Sequence, residues 1–176
     1  MYRVILSVFL SILISSGCNT NEPFIEDTSD EVTINSDNSA FSFSYGKAFS
    51  IPDTNNIKPD IIVLVHTDQN NNVLGVFFGT ESLRPAFNLI GTFTDIDSAK
   101  DFFYNLKEVP DSNYNSLAIP VNPYQVWAVK TNENKYGKIL ILFTDAYVYS
   151  PSPGFIRYYA EARFKWKFQI NGSRYF

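Results

Sequence analysis

Between Tyr158 and Phe168 the chain alternates. Tyr158, Ala160, Ala162, Phe164, Trp166 and Phe168 occupy one register, while Arg157, Glu161, Arg163, Lys165 and Lys167 occupy the other, with Tyr159 the only aromatic among them. A period of two places all the apolar side chains on one face of a strand and the charges on the opposite face. Such a strand is half-buried in an antiparallel sheet, and its apolar face requires a second layer to cover it.

Weaker versions of the pattern recur upstream. Phe41, Phe43 and Tyr45 alternate with Ser42 and Ser44 before a turn at Gly46-Lys47, and Ala48 to Ile51 continues briefly. Ile61 to Val65 is an unbroken β-branched and leucine run, which predicts a strand covered on both faces. Asn70-Asn71-Asn72 turns the chain into Val73 to Phe78, a predicted hairpin. Phe87 to Phe93 is a further strand candidate, and Val126 to Lys130 and Lys138 to Phe143 flank the turn at residues 132 to 135. Ala146 to Tyr149 extends the second of these until Pro151-Ser152-Pro153-Gly154 breaks it, and residues 110 to 123 read as loop.

One helix is expected, at about residues 95 to 108. Thr94 or Asp95 can cap it, Asp97 adds negative charge to its first turn, and Pro110 follows its end. Ile96, Ala99, Phe102, Phe103 and Leu106 recur at helical spacing. The 16 Phe, 11 Tyr and 2 Trp give a β-favouring composition. The expectation is a mainly β chain, an antiparallel β-sandwich with one short helix, spanning residues 40 to 176.

The N-terminus carries a different message. Arg3 precedes an apolar run from Val4 to Ile14, and Ser15, Ser16 and Gly17 lead into Cys18. The run is too short to cross a bilayer comfortably, which takes ~20 apolar residues. The layout is that of a bacterial lipoprotein signal over residues 1 to 17, with Ser15 standing where a lipobox usually has Leu. Cys18, the sole cysteine, is the expected lipidation site, which places the product at the bacterial outer membrane on its periplasmic or surface side. Residues 19 to 38 carry six acidic side chains and no basic one, so residues 18 to 39 are expected to be a solvated tether.

With a net charge of −4 and no basic block, nucleic acid is not an expected partner, and membrane attachment should be covalent. A monomer is expected. His66 is the single histidine, and the one methionine lies in the signal, so no multi-ligand zinc or soft-metal site is expected. A Ser-His-Asp triad would have to use His66, and no nucleophile-elbow sequence accompanies it. Asp95 and Asp97 are accounted for by helix capping, and no calcium-loop, P-loop or dinucleotide glycine pattern occurs. An enzyme is therefore not expected.

Two readings of the aromatic residues compete. Trp127, Trp166, Tyr158 and Phe164 fit core packing better than a stacking platform, because they alternate in register with polar residues. Tyr147, Tyr149 and Tyr159 are the candidates for an exposed ligand-binding surface, with His66 as a further candidate at a strand end.

Several segments resemble the HmuY-type outer-membrane lipoproteins. Lys47 after the Phe41–Tyr45 strand and Asp60-Ile61-Ile62-Val63 look like their opening. The sequence from Val126 to Thr131, followed by Lys135 to Ile139, is similar to their central hairpin, and Arg163 to Gln169 with Asn171-Gly172-Ser173 to their closing strand and turn. The resemblance covers about residues 40 to 176. It implies a β-rich, lipid-anchored envelope protein, some relatives of which bind haem between paired axial ligands. Here only His66 is on offer as such a ligand. The expected function is thus non-enzymatic binding of a small ligand or envelope protein, haem being the candidate the resemblance suggests. The alternative is a carbohydrate-binding accessory lipoprotein that uses exposed aromatic residues.

Overall fold

In a computed structural model, residues 31–52 and 56–176 are described. Two five-stranded antiparallel sheets face one another. The first has the order β1-β10-β9-β8-β6, built from β1 (Glu31–Asn35), β6 (Phe87–Thr92), β8 (Gln125–Lys130), β9 (Tyr136–Ser152) and β10 (Phe155–Gln169). The second has the order β3-β2-β4-β5-β7, built from β2 (Ser39–Ser42), β3 (Lys47–Ser50), β4 (Ile61–Thr67), β5 (Val73–Gly79) and β7 (Ala118–Val121). Among the described residues, the expected β-sandwich with one short helix is what forms.

The alternation in β10 points Ala160, Ala162, Phe164 and Trp166 into the space between the sheets, all buried. There they meet Phe41, Phe43, Ile61, Val63 and Phe78 from the other sheet. Phe41 is the hub, with ring centroids 5.0 Å from Phe43, 5.4 Å from Phe164 and 5.2 Å from Trp166. The edge-to-face geometry of the first two pairs adds to their burial energy. In β4 only the inner residues Ile61 and Val63 are fully buried, while Ile62 and Leu64 are half-buried, so one face of this strand is less covered than its composition suggests.

Helix α1 (Ile96–Asn105) lies on the outer face of the first sheet. Asp95 caps it, accepting from the Ser98 amide at 2.9 Å and the Ser98 hydroxyl at 2.9 Å. Ala99 and Phe103 pack on Val126 and Leu140 to make a second, smaller core.

Three sequence expectations need correction. Residues 31 to 35 are not tether: β1 pairs with β10 from Glu31 opposite Lys165 to Asn35 opposite Glu161. Ile34 is fully buried and Val32 packs on the core, so two apolar residues in an acidic stretch suffice once a strand edge is there to receive them. Residues 36 to 38 form the turn into β2, which starts at Ser39, and the remainder of the expected tether, residues 18 to 30, Cys18 included, lies outside the described residues. The supposed loop from 110 to 123 contains β7, which pairs with β5. Finally, β9 runs through Pro151 to Ser152, and a register shift opposite Arg163 and Phe164 reverses its parity. Ile139 and Ile141 face the core before this bulge and Ala146 after it, which leaves Tyr147 and Tyr149 outside.

Candidate functional site

The C-terminal end of β10 marks one pole of the sandwich, and three other segments gather there. The β2–β3 turn is closed by the Gly46 amide donating to the Phe43 carbonyl at 3.1 Å, with Gly46 at φ +62°. A side chain at Gly46 would press on the Trp166 indole, its Cβ 3.2 Å from Cη2, so glycine serves both the turn and the close approach. The β8–β9 turn is closed by the Thr131 amide donating to the Lys135 carbonyl at 2.8 Å and the Asn134 amide to the Thr131 carbonyl at 3.0 Å. The third segment is the approach to β4 from Asn56 to Asp60.

Asp60 ties these segments together. Its Oδ2 accepts from the Phe43 amide at 3.0 Å and its Oδ1 from the Asn132 amide at 2.7 Å. Arg84 stands 3.7 Å from Oδ1, donates through Nε to Asn132 Oδ1 at 3.0 Å, and donates to the Lys130 carbonyl. The Asn132 amide group in turn donates to the Pro59 carbonyl at 2.7 Å. Burial pushes the Asp60 carboxyl above its ordinary value, against the pull of the two amides and Arg84. Both carboxylate oxygens are occupied by fixed donors. Asp60 is a strut that holds three loops, not a free acid or base.

Two adjoining cavities open over this strut, of about 350 Å³ and about 390 Å³. Ser44, Tyr45 and Glu133 line both, which makes them one cleft. Its first half is polar, with Ser42, Asn56, Lys58 and Asn132. Its second half is more apolar, with Phe43, Gly46, Trp166, Phe168 and Ile170 beside Lys135. Tyr45 is 59% exposed. Glu133 pairs with Lys135 at 2.7 Å, and this contact together with the Ser44 hydroxyl holds its carboxyl below the usual range. An exposed phenol ring beside hydroxyl, amide and carboxylate groups suits a polar ligand with one flat apolar face.

The residues singled out from the sequence lie elsewhere. Tyr147, Tyr149 and Tyr159 do come together on the outer face of the first sheet, Tyr147 lying 6.0 Å from Tyr149 and 5.1 Å from Tyr159 between ring centroids. The Tyr159 hydroxyl donates to Glu161 at 2.7 Å, and burial followed by this carboxylate pushes it up to about 12. His66 does not join them. It projects from the outer face of the second sheet, exposed, with its ring 4.4 Å from that of Phe77. The two outer faces look in opposite directions, so the four residues cannot converge on one ligand. Trp127, Trp166 and Phe164 belong to the core as expected, whereas Tyr158, on the ribbon beyond the covered part of β10, is half-buried and does not; the Trp127 indole donates to Gln125 Oε1 at 3.1 Å.

Tyr45, Asn132 and Glu133 escaped notice because turn residues with no motif carry no local signal; only a polar-flanked aromatic beside Gly46 hinted at one of them. Among the described residues no group of three or more His, Cys, Asp or Glu could hold a metal ion, and no helix is long and apolar enough to cross a membrane. No family model, curated protein or solved structure matches the chain.

Proposed function

We propose that this chain is a lipid-anchored bacterial envelope protein, acylated at Cys18, that binds a ligand without chemical turnover in the cleft over Asp60. The observation that carries the binding reading is the cleft itself: an exposed Tyr45 ring and the Glu133, Asn132 and Ser44 polar groups, fixed by a buried carboxylate strut. The anchor rests on the apolar run and small residues that end at Cys18. The HmuY-type resemblance supports an envelope β-sandwich.

A saccharide is the ligand class that the cleft chemistry favours, since a sugar presents an apolar ring face to Tyr45 and hydroxyls to the amide and carboxylate. Haem has weaker support, because His66 stands alone on an outer face, away from the cleft.

Binding to an oligosaccharide panel, with Tyr45→Ala and Glu133→Gln as variants, tests the site. The expected result is saccharide binding by the wild type that both variants lose at unchanged melting temperature. Binding indifferent to both substitutions would remove the cleft from consideration. A haemin titration giving a Soret shift abolished by His66→Ala would reinstate haem. Metabolic palmitate labelling that is equal in wild type and Cys18→Ser would sink the anchor.

A further inference from the structure

The pole opposite the cleft is built differently. β8 accompanies β9 only as far as Leu140, and β1 accompanies β10 only from Glu161 onward, so beyond these points the β9–β10 hairpin continues as a two-stranded ribbon. Its tip exposes Phe155 at 63% and Ile156 at 66%, with Val148 exposed behind them. Behind Phe155 come Tyr149 opposite Arg157, then Tyr158 opposite Val148, then Tyr147 opposite Tyr159. From Ala146 to Ala160 the hairpin has no acidic residue and one cation, Arg157, in a chain of net charge −4.

Apolar side chains at the extremity, then Arg157 beside Tyr149, then the remaining tyrosines match the depth profile of a bilayer interface: acyl chains, then the carbonyl and phosphate level, then the outer headgroups. We infer that the hairpin tip inserts Phe155 and Ile156 into a lipid surface, with the tyrosines at headgroup level and Arg157 facing phosphate. Charge complementarity favours this occupant, since the stretch from Ala146 to Ala160 offers phosphate one arginine and no acid of its own; the nearest carboxylates, Asp37 at the Tyr149 hydroxyl and Glu161 at the Tyr159 hydroxyl, lie behind the tip.

The connecting chain permits it. Glu31 lies opposite Lys165, ten residues along β10 from Phe155, or roughly 33 Å at the strand rise. The twelve residues from 19 to 30 can span up to about 40 Å, enough to bring Cys18 back to the plane of the tip. Insertion itself does not require acylation, but a tethered domain needs only a weak second contact to hold one orientation. With the tip down, the cleft faces away from the lipid and stays open.

The experiment uses the full chain with Phe155→Trp as an emission reporter, Trp127 and Trp166 being buried in the core. Vesicles are phosphatidylcholine, with and without bromine on the acyl chains. The expected result is a blue shift on adding vesicles and loss of intensity with the brominated lipid, both abolished by Ile156→Asp and both retained in Cys18→Ser. Tyr175→Trp, exposed and distant from the tip, should show neither. Emission of Phe155→Trp that ignores vesicles would overturn the inference, as would equal quenching at Tyr175→Trp. A blue shift without vesicles that grows with protein concentration would also overturn it, assigning the tip to self-association.

Discussion

The Lys138 ammonium donates to the Leu106 carbonyl at 2.7 Å, so a strand side chain caps the C-terminus of a helix that has no basic residue in its own last turn. It also donates to the Phe103 carbonyl at 2.7 Å and lies over the rings of Phe103 and Phe176, 5.1 and 4.7 Å from their centroids. A cation at this position complements the helix dipole and satisfies carbonyls that would otherwise be buried without donors. Lys138 is only 1% exposed.

This burial gives the first prediction. Desolvation, followed by repulsion from Lys167 and Lys107, pushes the Lys138 ammonium down to about 7 from its ordinary 10.5. Between those two values the unfolded chain binds the proton and the folded chain does not, so the group makes stability rise with pH from about 7 to 10.5. The slope from one group is at most about 1.4 kcal/mol per pH unit. Urea unfolding at pH 7 and pH 9 should show the wild type gaining stability relative to Lys138→Met. Parallel behaviour of the two proteins would mean that the ammonium stays charged throughout.

Gly137 is predicted to tolerate no side chain. A Cβ there would stand 2.5 Å from Phe43 Cε1, inside the main core at the base of the cleft. Gly137→Ala should cost about 1–3 kcal/mol by overpacking. Adding Phe43→Leu should give a double variant less destabilised than the two single effects summed, read from urea midpoints. Strict additivity would show that the clash is relieved by backbone movement instead.

Trp166 packs against Phe41 and Phe43 at 5.2 and 6.0 Å, and its indole N–H has no hydrogen-bond partner. Trp166→Ala should cost ~3–5 kcal/mol through the lost volume. Trp166→Phe should cost much less, because no hydrogen bond is broken. A variant Trp166→Ala with an unchanged melting midpoint but no ligand binding would transfer the residue from the core to the site.

Removal of β1 should be costly. A chain starting at Ala40 loses the fully buried Ile34 and uncovers the edge of β10, whereas one starting at Glu31 keeps both. Circular dichroism melts should place the first several degrees or more below the second. Equal midpoints would return residues 31 to 39 to the role of tether.

The sequence by itself determined the features whose cause is local. The alternation from Ala160 to Trp166 fixes which face of β10 is buried, because side chains on a strand point to opposite faces whatever surrounds them. The Asp95 cap and the spacing of Ala99 and Phe103 set the helix start and its buried face for equally local reasons, whereas its end at Asn105, short of the expected 108, is not set by Pro110. The tertiary structure decided what depends on a neighbour distant in the chain. Val32 and Ile34 are too few to announce a strand among acids, and only the open edge of β10 makes them one. Lys138 occupies the outward register of its strand together with Leu140, and it is buried because α1 crosses that spot. The bulge in β9 reverses parity without a sequence mark, which is what turns Tyr147 and Tyr149 outward. The cleft joins turns and a strand end whose only common link is a buried carboxylate at Asp60, whose amide partners Phe43 and Asn132 lie 17 and 72 residues away. Periodicity reports burial along one element, whereas a site is a contact between elements, and contact is set by how the sheets stack.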